Sequence, residues 1–107
     1  MKDLTSEDFD KQILTSPNLV VVDFHAKWCG PCKMIAPFLD KLDQFYESVD
    51  FFKVDIDENP ELSERFNISS VPTFKFIRKG KVTKTQVGLS SPQDLEGMIR
   101  TSLDQDN

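Results

Sequence analysis

Apolar residues run along this chain in two alternating rhythms. Leu19-Val20-Val21-Val22-Asp23-Phe24-His25 is nearly all apolar, β-branched or aromatic. That is the pattern of a strand covered on both faces, near the middle of a partly parallel sheet. Phe51 to Ile56 is a second such run. Between them Met34, Ile35, Phe38, Leu39, Leu42 and Phe45 recur at helical spacing and predict a helix from Pro31 to Tyr46, which Pro37 should kink. Strand, helix, strand is a βαβ unit with a right-handed crossover expected.

Shorter elements flank this unit. Leu4 to Phe9 reads as a helix start, with Thr5 as cap and Leu4 and Phe9 as a hydrophobic staple. Phe9, Ile13 and Leu14 then share a face, and the helix stops near Ser16-Pro17-Asn18. Asn59 and Pro60 open a short helix as cap and first helical residue. Thr73 to Ile77 and Val82 to Val87 read as strands joined by Arg78-Lys79-Gly80-Lys81, a hairpin with glycine in its turn. Ser91 and Pro92 start a last helix striped by Leu95, Met98, Ile99 and Leu103. The phenylalanines are read mostly as core.

Composition narrows the function classes. The 107 residues suit one globular α/β domain over 1–107, with 38% hydrophobic and 29% charged residues. A net charge of −5 with no basic stripe argues against nucleic acid as a ligand. The longest apolar stretch, Leu19 to Val22, is far short of the ~20 residues of a membrane span. Two cysteines are too few for a disulfide-dense secreted scaffold. Met1 to Ser6 shows neither an apolar signal region nor a cleavage site, so a cytoplasmic location is expected.

The two cysteines carry the chemistry. Trp28-Cys29-Gly30-Pro31-Cys32 lies between the first long strand and the long helix. A helix start presents unpaired N–H groups and the positive end of its dipole. A Cys29 thiolate is stabilised there and becomes a nucleophile near neutral pH. Cys32, one turn on and expected to lie deeper, is placed to attack a mixed disulfide at Cys29. Pro31 presets the helical φ, and Gly30 lets another chain come close. Half a zinc site is an alternative, but only His25 could join the cysteines as a ligand of the same kind. A static disulfide is another, closing a very small loop for little entropic gain; two unrelated buried thiols are a third. A C-x-x-C beside a βαβ pattern favours a redox dithiol.

Asp23 interrupts an apolar strand. Val21, Asp23 and His25 point to one side of it, Val22 and Phe24 to the other. The expectation is a half-buried carboxylate under the cysteine pair, its pKa raised by burial and suited to exchange the Cys32 proton. The alternative is a satisfied carboxylate at a sheet edge. His25 reads as a strand-end residue, and Lys33 as a helix charge that either adds positive potential near Cys29 or is solvated.

Trp28-Cys29-Gly30-Pro31-Cys32-Lys33-Met34-Ile35-Ala36-Pro37 resembles the active-site segment of the thioredoxin family. The resemblance extends over nearly the whole chain. It includes Val21-Val22-Asp23-Phe24, Asp55-Ile56-Asp57, Asn59-Pro60, Ser70-Val71-Pro72-Thr73-Phe74 and the late glycines Gly80 and Gly88. It implies the thioredoxin fold, a central mixed β-sheet flanked by helices on both faces. Only Met1 to Leu4 precede the first helix, so the family's first strand must be very short or absent. The resemblance further implies a Cys29–Cys32 redox disulfide, a cis Val71–Pro72 bond beside it, and Lys53 close enough to Asp23 to tune it, unless that lysine reaches solvent. Trp28, Val71, Pro72, Thr73 and Gly88 would form an apolar rim for an extended substrate peptide, although Trp28 could be core instead.

The function implied is protein-disulfide reduction by a monomer, with thioredoxin reductase as electron donor and disulfide-containing proteins as substrates. No nucleotide or flavin motif is visible, so no cofactor is expected. A binding module with a redox latch, and an oxidant or isomerase, stay open.

Overall fold

The computed structural model describes residues 1–88 and 91–105. Its elements in chain order are β1 (Lys2–Asp3), α1 (Phe9–Leu14), β2 (Leu19–His25), α2 (Gly30–Phe45), β3 (Val49–Asp55), α3 (Pro60–Arg65), β4 (Thr73–Arg78), β5 (Lys81–Val87) and α4 (Pro92–Asp104). The five strands form one sheet in the order β1-β3-β2-β4-β5. β1, β3 and β2 run parallel, while β4 and β5 add antiparallel. This is the mixed sheet expected, with β2 at its centre.

Alternation along the central strands sends side chains into two cores. Leu19 and Val21 of β2 join Phe51, Phe74 and Phe76 against Ile35, Leu39 and Leu42 of α2 and Leu95 and Ile99 of α4. Val20, Val22 and Phe24 face the other way, onto Phe9 and Ile13 of α1 and Leu62 of α3. Each face of the sheet therefore carries two helices.

The very short first strand, the Ser91 cap and the glycine hairpin turn match expectation, and several other local details are corrected. The family's first strand exists but is two residues long, and its edge pairs Lys2 with Phe52 and Asp3 with Lys53. α1 starts at Phe9: the Thr5 carbonyl accepts from the N–H groups of Asp8 and Phe9 in a turn, and Asp8 takes the cap position without a side-chain cap bond. β3 begins at Val49 and ends at Asp55, earlier than the apolar run suggested. Asp50 precedes that run in the sequence; its carboxylate accepts from Ser16 Oγ and Asn18 Nδ2, and strand pairing includes it. Asn59 sits at the start of α3 without capping it by its side chain. Its amide instead accepts from Ser6 N–H and donates to Asp55 O, each at 3.0 Å. Ser91 does cap α4, its hydroxyl accepting from Asp94 N–H at 3.1 Å. Leu14, Met34 and Phe45 were placed on buried stripes and are exposed. The β4–β5 hairpin turns through Lys79 and Gly80, both at positive φ. Gly80 suits that conformation, and a Cβ there would come within 2.6 Å of Leu14 Cδ2.

Candidate active site

The site forms where β2 ends and α2 begins. Cys29 is the N-cap of α2, with extended backbone, and its sulfur accepts a hydrogen bond from Cys32 N–H at 3.2 Å. No acidic residue lies in the first turn of this helix. The helix start therefore favours negative charge at Cys29 Sγ. The two sulfurs are at disulfide distance, with Cα atoms 5.3 Å apart. Burial does not separate the two cysteines as expected: Cys29 is 3% exposed and Cys32 5%. Cys29 is covered because it packs with Ala26, Ile56 and Val71. What differs is their position. Cys29 stands outside the first turn, 3.7 Å from Val71 O, whereas Cys32 lies inside the helix and lines a cavity with Asp23.

Val71, Pro72 and Thr73 approach from the start of β4, and the Val71–Pro72 peptide is cis. Thr73 Oγ1 donates to Ser70 O at 2.7 Å, and Gly88 N–H donates to Pro72 O at 2.8 Å. Gly88 has φ of 82°, a backbone shape that favours glycine. Gly30 and Pro31 are exposed at the head of α2, and a Cβ at Gly30 would meet nothing within 4 Å. Trp28 is 69% exposed, not core. Its Nε1–H donates to Asp57 Oδ2 at 2.8 Å. Asp57 was not singled out from the sequence as a site residue; its place directly after the Asp55-Ile56 strand end was the signal available.

Behind the cysteines, Asp23 is 4% exposed and its Oδ1 has no hydrogen-bond partner among the described residues. Burial pushes its carboxyl up from 3.8 to about 7, against the opposing pull of Lys53. Lys53 is the register partner of Asp23 on β3. It is only half-buried, and its ammonium lies 3.9 Å from Asp3 Oδ2, so both readings of this lysine describe part of its position. Asp23, Lys53, Cys32 and His25 line one cavity of about 320 Å³, with exposed Lys27 and Lys33 on its rim. His25 ends β2 as expected and lines this cavity as well. No hydropathy signal marks it, because strand-end histidines are ordinary. Among the described residues no cluster of three or more His, Cys, Asp and Glu side chains is arranged to hold a metal ion. No helix among them is long and apolar enough to cross a membrane.

The family model described as Thioredoxin matches residues 1–101. The chain belongs to the thioredoxin family. It is 48% identical over 87 residues to Thioredoxin-T of Drosophila melanogaster, a match covering 79% of this chain and 55% of that protein, so the chain spans about half the relative's length. It is 44% identical over 88 residues to Thioredoxin 1 of Plasmodium falciparum, covering 82% of this chain and 85% of the relative. A solved structure described as an initial structural analysis of Plasmodium falciparum thioredoxin superposes with a TM-score of 0.89 at 41% identity, covering 94% of this chain and 98% of that one. Family and cysteine pair together make the chain a thiol–disulfide oxidoreductase.

Proposed function

We propose that this chain is a general reductase of protein disulfides, working as a monomeric domain over residues 1–107 in the cytoplasm and recharged by a thioredoxin reductase. The observation that carries the reading is Cys29 at the N-cap of a 16-residue helix, its sulfur at disulfide distance from Cys32 and accepting the Cys32 N–H. In the first step Cys29 thiolate attacks one sulfur of a substrate disulfide. A Cys29–substrate bond forms, the substrate S–S bond breaks and the first thiolate leaves. In the second, Cys32 gives its proton to the Asp23 carboxylate, and its thiolate attacks Cys29 Sγ. The Cys29–Cys32 bond forms, the second substrate thiolate leaves, and two electrons have passed to the substrate. A carboxyl near 7 is matched to that proton exchange at neutral pH. The exposed Trp28 ring and the half-buried Val71, whose carbonyl lies 3.7 Å from Cys29 Sγ, offer the surface for an extended peptide, while Pro72 and Thr73 are buried beneath it.

Trapping tests the division of labour. Cys32→Ser should accumulate covalent complexes with a disulfide-containing protein, seen by intact mass, and Cys29→Ser should form none. Complexes with Cys29→Ser alone would reverse the assignment. Parent protein that fails to accelerate insulin reduction by dithiothreitol would point to a binding module, and a reduction potential in the isomerase range to an oxidant or isomerase.

A further inference from the structure

Asp23 and His25 are two positions apart on β2, so their side chains leave the same face of the sheet. Both line the cavity behind Cys32. Asp23 Oδ1 and His25 Nε2 are each buried without a hydrogen-bond partner among the described residues. Buried polar atoms are nearly always satisfied, and the cavity of about 320 Å³ that both side chains line has room for a water bonded to each of them.

The surroundings of His25 fix its state. Asp55 and Lys53 face it from β3, Glu58 from the turn after β3, and Asp3 from β1 at 4.0 Å from Nε2. Asp23 stands on its own strand, with Lys27 and Lys33 at the cavity rim. Burial of the ring outweighs the carboxylates and lowers its pKa below the ordinary 6.5. The imidazole is then neutral at pH 7 and would hold a proton only in transit.

We propose that His25 is a positioning residue for the resolving step, passing to solvent, through water in the shared cavity, the proton that Asp23 removes from Cys32. The inference rests on the role given to Asp23 above. The Cys32 S–H bond breaks as an Asp23 O–H bond forms. The same proton then moves through water to His25 Nε2 and on to buffer. Each transfer moves one proton and no electrons, and the carboxylate is restored for the next turnover. At pH 7 a carboxyl near 7 is protonated in part of the molecules before Cys32 attacks; in these its proton must first leave through the cavity, so loss of the imidazole slows even a single turnover.

The test isolates Cys32 attack. The Cys29 mixed disulfide with thionitrobenzoate is formed, and release of the coloured thiol is followed by stopped flow across pH 6–9. His25→Gln keeps a hydrogen-bonding side chain that does not titrate; His25→Ala leaves space for a soluble base. Release should slow about tenfold in both at pH 7, while iodoacetamide alkylation of Cys29 keeps its parent rate. Added imidazole should restore release in His25→Ala and leave the parent unchanged. Parent-like release in His25→Gln, or no imidazole dependence in His25→Ala, would overturn the relay. Asp23→Asn is run alongside. If it slows release while the His25 variants do not, the relay fails alone; if it too is parent-like, the Asp23 role fails and the relay with it. Should neither His25 variant fold, imidazole ¹⁵N shifts of the parent decide. A step that tracks the Asp23 carboxyl titration supports the relay, and flat shifts through that range overturn it.

Discussion

Val21 and Asp23 are neighbours on one face of β2, under the same helix α2, in a strand hydrogen-bonded on both sides. Val21 is fully buried among Leu19, Phe51, Phe76 and the apolar face of α2, and every atom it presents is suited to that place. Asp23 is nearly as buried, yet one carboxylate oxygen has no hydrogen-bond partner among the described residues and the charged form is disfavoured. One end of the strand stabilises the fold, and the other gives up stability beside the cysteine pair. The frustrated position is held in place by its well-packed neighbours on β2.

The largest effect should come from removing the frustrated carboxylate. Its folded pKa is raised, so between 3.8 and about 7 the native state holds more protons than the unfolded one. Stability then falls as pH rises through that window, and the penalty is fully present above about 7. A displacement from 3.8 to about 7, at roughly 1.4 kcal/mol per pH unit, is worth on the order of 4 kcal/mol at most. Asp23→Ala should raise the urea midpoint at pH 8 and slow disulfide reduction there, and lose most of both effects near pH 4, where the parent carboxyl is already protonated. A midpoint that drops at pH 8 would mean the carboxylate is satisfied after all.

Val21→Ala should do the opposite. Two buried methyl groups are lost in a site that cannot collapse, for roughly 2 kcal/mol of destabilisation with little pH dependence. Urea melts at pH 4 and pH 8 check both the size and the flatness. Equal pH dependence in the two variants would erase the distinction between the halves of β2.

Much of this contrast was legible before any coordinates. An aspartate inside Val20-Val21-Val22-Asp23-Phe24 is conspicuous because apolar runs are easily read, and Trp28-Cys29-Gly30-Pro31-Cys32 names its own chemistry. The part not legible depends on three-dimensional cover. Cys29 appeared the more accessible sulfur, but Ile56 and Val71 come from distant segments to bury it. Met34 and Phe45 look like core and are not, because the sheet covers only one side of α2. Val49 and Asp50 lie outside the apolar run, and Ser16 and Asn18, which bond the Asp50 carboxylate, come from a separate segment. His25 and Asp57 belong to no hydropathy pattern; their places in the site follow from the sheet register and a loop contact.

A smaller effect is expected just beyond the polar end of the strand. Trp28 Nε1–H and Asp57 Oδ2 are both exposed, so their bond should contribute little to stability. It does fix the ring beside Cys29. Asp57→Ala should change the unfolding free energy by less than about 0.5 kcal/mol, lower the fluorescence anisotropy of the single tryptophan, and raise KM for a protein disulfide a few-fold with kcat nearly unchanged. A fall in kcat at constant KM would show that Trp28 acts on the chemistry and not on docking.

The smallest effect concerns Lys53, which faces both ends of the comparison. Its positive charge lowers the Asp23 pKa and so relieves part of the burial penalty. Two observations limit that relief: its side chain is 39% exposed, and the Asp3 carboxylate draws the ammonium outward at 3.9 Å. Water screens a charge in such a position. Lys53→Met should therefore move the Asp23 inflection upward from about 7, but modestly. The sign is fixed by linkage. With the lysine gone the folded carboxyl holds its proton to higher pH, so stability continues to fall beyond the pH at which the parent levels off. Carboxyl ¹³C shifts of Asp23, read together with urea midpoints from pH 6 to pH 9, measure both consequences in one sample series. An inflection that stays put would show the lysine's field spent on Asp3 and solvent, leaving burial alone to set the proton affinity of Asp23.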